Sequence, residues 1–149
     1  MKRRSATRPS RPPPDPVFFT DRDLGKQFPG ILAESGLRVE RYFDHFQSDR
    51  VADEDWLAFV AHKGWVAISH DDNIRRDPVA VATVLAHGGR LFIVRGELTT
   101  AQLAELFLSA LPAVRSILGK HRLKAFIGVV RRRSTKGAAF HAEAKVVVS

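Results

Sequence analysis

The sequence predicts an α/β fold: an open, mostly parallel sheet of about five strands with helices on both faces. Three observations carry that prediction. Short apolar runs, VFFT, LRVERYF, WVAIS, LFIV and AFIGVV, recur along the chain. Stretches with helical apolar spacing separate them, and Gly or Pro marks most of the joins. Strands that alternate with helices read as βαβ units, whose crossovers lay helices against both sides of a parallel sheet.

Each element has a local reason. VFFT, residues 17–20, is the first strand. Leu24 to Ser35 is a helical stretch that Pro29 interrupts and Gly36 stops. LRVERYF alternates, with Leu37, Val39 and Tyr42 facing inward. Asp53 is expected as the N-cap of the next helix, with Glu54 and Asp55 in the first turn where the helix dipole favours acids. Trp56, Leu57, Phe59 and Val60 supply that helix's buried face, and Gly64 ends it. WVAIS, residues 65–69, is the third strand. Pro78 opens a helix through about Ala86, closed by Gly88-Gly89. LFIV, residues 91–94, is the fourth strand. Thr99 and Gln102 form a capping box for one long helix carrying Leu103, Leu106, Phe107, Leu111, Val114 and Leu118. AFIGVV, residues 125–130, closes the sheet.

The 149 residues suit a single domain with a sizeable core. Cysteine is absent, which excludes disulfides, thiol catalysis and cysteine-based zinc sites and fits a reducing cytoplasm. No apolar run approaches the roughly 18 residues of a membrane span, and the basic N-terminus lacks the apolar core of a secretory signal. The net charge of +8 sits at the ends. Residues 1–16 carry five basic side chains against Asp15, and residues 131–149 carry five against Glu143, so the stretch between is formally neutral. The expected organisation is a Pro/Arg-rich tail over 1–16, a globular domain over 17–130 and a basic extension over 131–149. Basic arms beside a neutral globule suit a polyanion, held with an affinity that falls in salt; solubility alone is the competing explanation.

The acids are placed more tellingly. In VFFTDRDLG the first strand runs straight into Asp21 and Asp23, and the third runs into His70-Asp71-Asp72. Two carboxylates about 4 Å apart repel by about 4 kcal/mol at an effective dielectric near 20, so a positive partner is expected. Ligands of open parallel sheets bind beyond the carboxyl ends of the strands, the edge on which Asp21, Asp53 and Asp71 all fall. Core Arg residues at matching positions are few, which makes a hard divalent cation, Mg²⁺ or Mn²⁺, the simplest compensating charge. Taken singly, Asp53 is also explained as a helix cap, and Asp21 and Asp71 as turn residues.

FFTDRDLG, then DEDWLAFVAHKGWVAISHDDNIRR, then RLFIV and a long helix resemble the PIN-like ribonuclease domains. The likeness is to the compact branch that includes VapC-type toxins of toxin–antitoxin pairs, and it covers nearly all of residues 17–130. It rests on an Asp closing strand one, an Asp opening a helix about eleven residues before a Gly, and a Ser/Thr-x-Asp closing the next strand, here Asp21, Asp53 and Ser69-His70-Asp71. The resemblance implies a three-layer α/β/α fold. It also implies metal-dependent hydrolysis of RNA phosphodiesters, leaving a 3′-hydroxyl and a 5′-phosphate. Asp21, Asp53 and Asp71 would be the catalytic, metal-binding carboxylates, with Asp72 a fourth ligand or outer-shell group. Asp23 stands as an alternative or addition to Asp21, and Glu54 and Asp55 as alternatives to Asp53. Arg22, Arg75 and Arg76 are candidates for RNA phosphate, since guanidinium forks match its oxygens. A small antitoxin is the implied protein partner, able to insert a basic side chain into the acidic crevice; a homodimer is a family expectation with no interface marked in the sequence.

The six histidines match no metal-ligand spacing. His70, beside Asp71, is expected to point away from it, toward a neighbouring helix. Two other enzyme classes share part of the pattern. Asp21-x-Asp23 is similar to the nucleophile loop of haloacid-dehalogenase-type phosphatases, but Leu24-Gly25 and the short core depart from that family. Acids after strands one and three also occur in phosphoacceptor receiver domains, which need a Lys after strand five where this chain has Arg131. A non-catalytic nucleic-acid-binding module that uses its basic tails is the remaining alternative.

Overall fold

The computed structural model describes residues 15–134 and 140–149. Six strands form one sheet in the order β2-β1-β3-β4-β5-β6: β1 Phe18–Thr20, β2 Val39–Arg41, β3 Val66–Ser69, β4 Arg90–Val94, β5 Phe126–Ser134 and β6 Phe140–Val148. The first five run parallel, and β6 returns antiparallel along β5. The helices are α1 Gln27–Glu34, α2 Tyr42–His45, α3 Asp53–His62, α4 Pro78–Ala86, α5 Thr100–Ser109 and α6 Leu111–Lys120, with 3₁₀ turns at Arg22–Leu24 and Asp72–Arg76.

β1, β3, β4 and the first half of β5 are buried on both sides, so adjacent apolar residues serve two cores. Phe18, Ile68, Phe92 and Phe126 face a core built with α1, α5 and α6. Phe19, Ala67, Leu91 and Ile127 face a second, built with Trp56 and Val60 of α3 and Ala80 and Val84 of α4. Phe19 stacks on Trp56 at 5.7 Å between ring centroids, which fixes the α3 face against β1. Two helical layers around a mostly parallel sheet are the three-layer arrangement expected.

Several boundaries differ from expectation for identifiable reasons. Pro29 does not interrupt a helix: α1 starts at Gln27, so Pro29 lies in its first turn, where an N–H has no intrahelical acceptor. Ala52, not Asp53, is the N-cap of α3, and it makes no side-chain cap. The expected long helix is two, meeting at Ala110 with a bend of 59°. Pro112 is the cause, because its ring and missing N–H break the ladder of the preceding turn. No single helix among the described residues is long and apolar enough to cross a membrane.

The expected boundary at residue 130 falls inside a strand. Residues 131–134 continue β5, and 140–148 add the sixth strand, so the described part of the basic extension is sheet. Ala142, Ala144 and Val146 alternate toward the first core, while Arg131 pairs with Glu143 opposite it, Nε to Oε2, at 2.6 Å. Of the tail expected over residues 1–16, residues 1–14 lie outside the described residues.

Thr20 is 1 % exposed, and its hydroxyl has no hydrogen-bond partner among the described residues. A buried hydroxyl left unpaired costs about 1–3 kcal/mol. Thr20→Val, which keeps the branched shape of the strand residue, is therefore expected to raise stability by about 1 kcal/mol, read as a higher urea midpoint with an unchanged slope.

Candidate active site

The carboxyl edge of the sheet is where chain ends of β1, β3 and β4 gather polar groups. Asp21 follows β1 directly and is 4 % exposed. Its Oδ1 accepts the Arg22 amide at 2.7 Å, capping the Arg22–Leu24 turn, and its Oδ2 accepts the Ser69 hydroxyl at 2.8 Å. Asp23 reaches the same hydroxyl more weakly, at 3.4 Å, and accepts the His70 amide at 3.2 Å. Ser69, fully buried at the end of β3, is thus the hub that brings two carboxylates together.

Among the described residues the pair lacks matching positive charge. Burial is the main cause that raises the Asp21 pKa to about 7, and the Asp23 charge adds to it; the Ser69 hydroxyl, the Arg22 amide and the Arg22 guanidinium only partly offset them. Asp23 as a residue is exposed, yet its carboxylate is crowded by Asp21, Ser69 and the His70 amide. Its pKa too is raised, chiefly by loss of solvation, with Asp71 adding charge repulsion and His70 and Ser69 opposing. Arg22 is an incomplete counterion, 3.5 Å from Asp21 Oδ1 with its guanidinium 4.9 Å from the Tyr42 ring centre.

Asp71 stays beside this pair. Its amide donates to Ser69 Oγ at 3.1 Å, while its Oδ1 caps the next turn by accepting the Asn73 amide at 3.0 Å. Asp72 does something different from the ligand role implied above. Arg75 Nε lies 2.7 Å from its Oδ1, Arg76 Nη2 3.2 Å from its Oδ2 and Arg95 Nε 3.6 Å from its Oδ1. The Arg75 hydrogen bond is the main cause that holds its pKa below the usual carboxylate range, so it stays charged and committed to guanidiniums. Arg95 was not among the sequence candidates; its only signal was a basic residue immediately after a strand on the site's edge.

Asp53 is turned to its own helix, where Oδ1 accepts the Trp56 indole N–H at 3.0 Å. Glu54 and Asp55 are exposed. No group of three or more His, Asp or Glu among the described residues is arranged to hold a metal ion, so the structure does not gather Asp21, Asp53, Asp71 and Asp72 into one ligand set. It gathers Asp21 and Asp23, with Asp71 next to them. His70 points to a strand rather than a helix: its Nδ1 is 2.7 Å from the Val94 carbonyl oxygen, which requires the proton on Nδ1.

Mg²⁺ is commonly held by one or two carboxylates, with water and substrate phosphate completing its shell. A carboxylate whose pKa is raised chiefly by burial and further by an adjacent carboxylate fits such an ion, because the charge it supplies is the charge the pocket lacks. Asp21 and Asp23 are the residues that would hold it.

This parallel sheet carries its paired acids beyond β1 and β3, and residues 16–96 match the family model described as PIN like domain. The chain belongs to the PIN-like domain family. It is 38 % identical over 102 residues to "Putative ribonuclease VapC45" of Mycobacterium tuberculosis (strain ATCC 25618 / H37Rv), an alignment spanning 65 % of this chain and 74 % of that protein. No solved structure matches the chain.

Proposed function

We propose that the protein is a Mg²⁺- or Mn²⁺-dependent endoribonuclease and the toxin of a toxin–antitoxin pair, acting in the cytoplasm. The observation that carries this reading is the under-compensated carboxylate pair Asp21 and Asp23, held on one buried hydroxyl at the carboxyl edge of a PIN-like sheet. A relative named as a ribonuclease supports the substrate class. A hard divalent cation bound there supplies activation of water and neutralisation of charge developing at the scissile phosphate.

The chain's own residues have separable tasks. Ser69 orients Asp21 through the 2.8 Å hydrogen bond and is itself fixed by the Asp71 amide. Asp71 adds negative field without sharing the hydrogen bonds of the pair. Arg75 and Arg76, fanned around Asp72, would attract phosphate to the rim of the pocket. Asp53 supports the site from outside it by holding Trp56, which stacks under Phe19. The antitoxin would silence the pocket by inserting an Arg or Lys, supplying by side chain the charge otherwise supplied by metal.

Purified protein incubated with structured and single-stranded RNA in Mn²⁺, Mg²⁺ or EDTA tests the reading. Cleavage in either metal and none in EDTA, with 5′-phosphate and 3′-hydroxyl ends, is the expected result. RNA binding by folded protein without cleavage in either metal would replace the enzyme with a non-catalytic binding module.

A further inference from the structure

The hairpin of β5 and β6 lies outside residues 16–96, the span that matches the family. Its geometry ties it to the acidic edge all the same. Phe126–Val130 of β5 pair with Arg90–Val94 of β4, and the Arg95 amide adds one more bond to the Val130 carbonyl at 2.8 Å. From Arg131 onward β5 pairs only with β6, through Arg131↔Glu143, Arg132↔Ala142 and Arg133↔His141. Four residues at about 3.3 Å each carry the hairpin about 13 Å past the end of β4, on the side where the acids lie.

Between this projecting ribbon and the loop after β4 is a solvent-open cleft of about 310 Å³, lined by Arg95, Gly96, Glu97, Leu98, Arg131 and Arg132. Two strand spacings, about 10 Å, separate the end of β3 from that of β5. Contacts bridge the interval: His70 reaches Val94, and Asp72 reaches Arg95. The charge along this band is lopsided. Asp72 faces three guanidiniums, and Glu143 faces two, with Arg133 Nη1 at 3.3 Å beside Arg131. Arg132, on the opposite face of the ribbon, is exposed and contributes to the cleft. A carboxylate shared among several Arg fixes their direction while leaving net positive charge, the condition for binding an anion through forked N–H groups.

We propose that this cleft is a second RNA subsite: Arg95, Arg131 and Arg132 take backbone phosphates of the strand leading away from the acidic pocket. The inference rests on the nuclease reading and adds the direction in which substrate lies, from β1 and β3 across β4 to the hairpin. Glu97 on the cleft wall disfavours an acidic peptide no more than phosphate, but phosphate offers the repeated oxygens that successive guanidiniums need. It predicts that affinity, rather than the chemistry at the acids, depends on the hairpin.

The test is fluorescence anisotropy with the full chain in EDTA, where no cleavage competes, and a labelled single-stranded RNA of about 12 nucleotides. Salt is varied from about 50 to 200 mM. Arg132→Gln and Arg95→Gln are each expected to weaken binding about 5- to 10-fold at the lowest salt and to reduce the log–log salt slope by about 0.7. Arg132→Lys should keep the slope. The Mn²⁺-induced rise in melting temperature serves as the control on fold and acidic pocket, and Arg132→Gln should leave it unchanged. Arg132→Gln, at an exposed position on the ribbon, is the decisive variant. Wild-type affinity and slope in Arg132→Gln and in a protein carrying both Arg95→Gln and Arg132→Gln, with metal-dependent cleavage intact, would overturn the subsite and leave the nuclease standing. Wild type that neither binds nor cuts RNA would overturn both.

Discussion

Asp21→Asn is expected to abolish the proposed metal-dependent RNA cleavage, to at most about one part in 100 of wild type, while the protein stays folded. Charge stabilisation by a bound metal supplies several kcal/mol to such a reaction, and each 1.36 kcal/mol is about tenfold in rate. Removing the most buried carboxylate takes away the charge that would hold the cation. The fold survives because the amide replaces both hydrogen bonds. Its oxygen accepts the Arg22 amide, and its NH₂ donates to Ser69, whose hydroxyl proton turns to Asp23, already 3.4 Å away. Asp23→Asn is expected to have the same effect on activity. Asp72→Asn should retain most of the chemistry, because its carboxylate serves Arg75, Arg76 and Arg95. Initial rates in Mn²⁺, with circular dichroism of each variant, check all three. Full activity in Asp21→Asn would remove the carboxylate pair from the mechanism.

The second large effect concerns pH in the absence of metal. The Asp21 pKa is raised, chiefly by burial, to about 7 in the fold from its ordinary 3.8. Its protonated form is the one the fold accommodates, so its contribution to stability is fully present below about pH 4. That contribution declines as pH rises and has gone above pH 7 or so. The span amounts to about 4 kcal/mol at most. Asp72, Asp44 and Glu143 work in the other direction, since their lowered pKa values make acid destabilising. Asp21→Asn removes the Asp21 contribution alone. In EDTA, wild type and variant should have similar urea midpoints near pH 3.5, and the variant should become the more stable as pH rises, by up to about 4 kcal/mol at pH 8. Mn²⁺ should close that gap for wild type alone. Parallel curves for the two proteins across pH 4–8 would mean that Asp21 meets its counter-charge within the chain.

How far the sequence foretold this depends on the range of the interaction that decides each feature. Asp21, Asp71 and the strands before them were readable because an apolar run ending in an acid is a local pattern, and the sheet topology brings such ends to one edge. Asp23 was only an alternative: its partnership with Asp21 is made by Ser69, 46 residues further on. Asp72 reads as a metal ligand until Arg95 is seen against it, and that contact crosses from β3 to β4. Asp53 lost its place to a local competitor, the Trp56 indole three residues later. The last strand was hidden by composition. In FHAEAKVVV the inward positions 142 and 144 are alanines, which give alternation little hydrophobic contrast, and five basic residues over 131–149 drew the reading toward a tail. Pro112 shows the reverse case, a strictly local breaker overlooked beneath a continuous apolar periodicity.

The antiparallel β6 also sets the protein's colloidal behaviour. It is the terminal strand of the sheet, nine residues long, with one side of its backbone left to solvent rather than to another strand of the described fold. At its far end three consecutive valines, 146–148, follow Lys145. A long β-branched edge is a template for the next chain. Lys145 is exposed beside that run, where an ammonium group repels its own kind and must be stripped of water before two such edges can zip together. One positive charge thereby stands guard over the open border of the sheet.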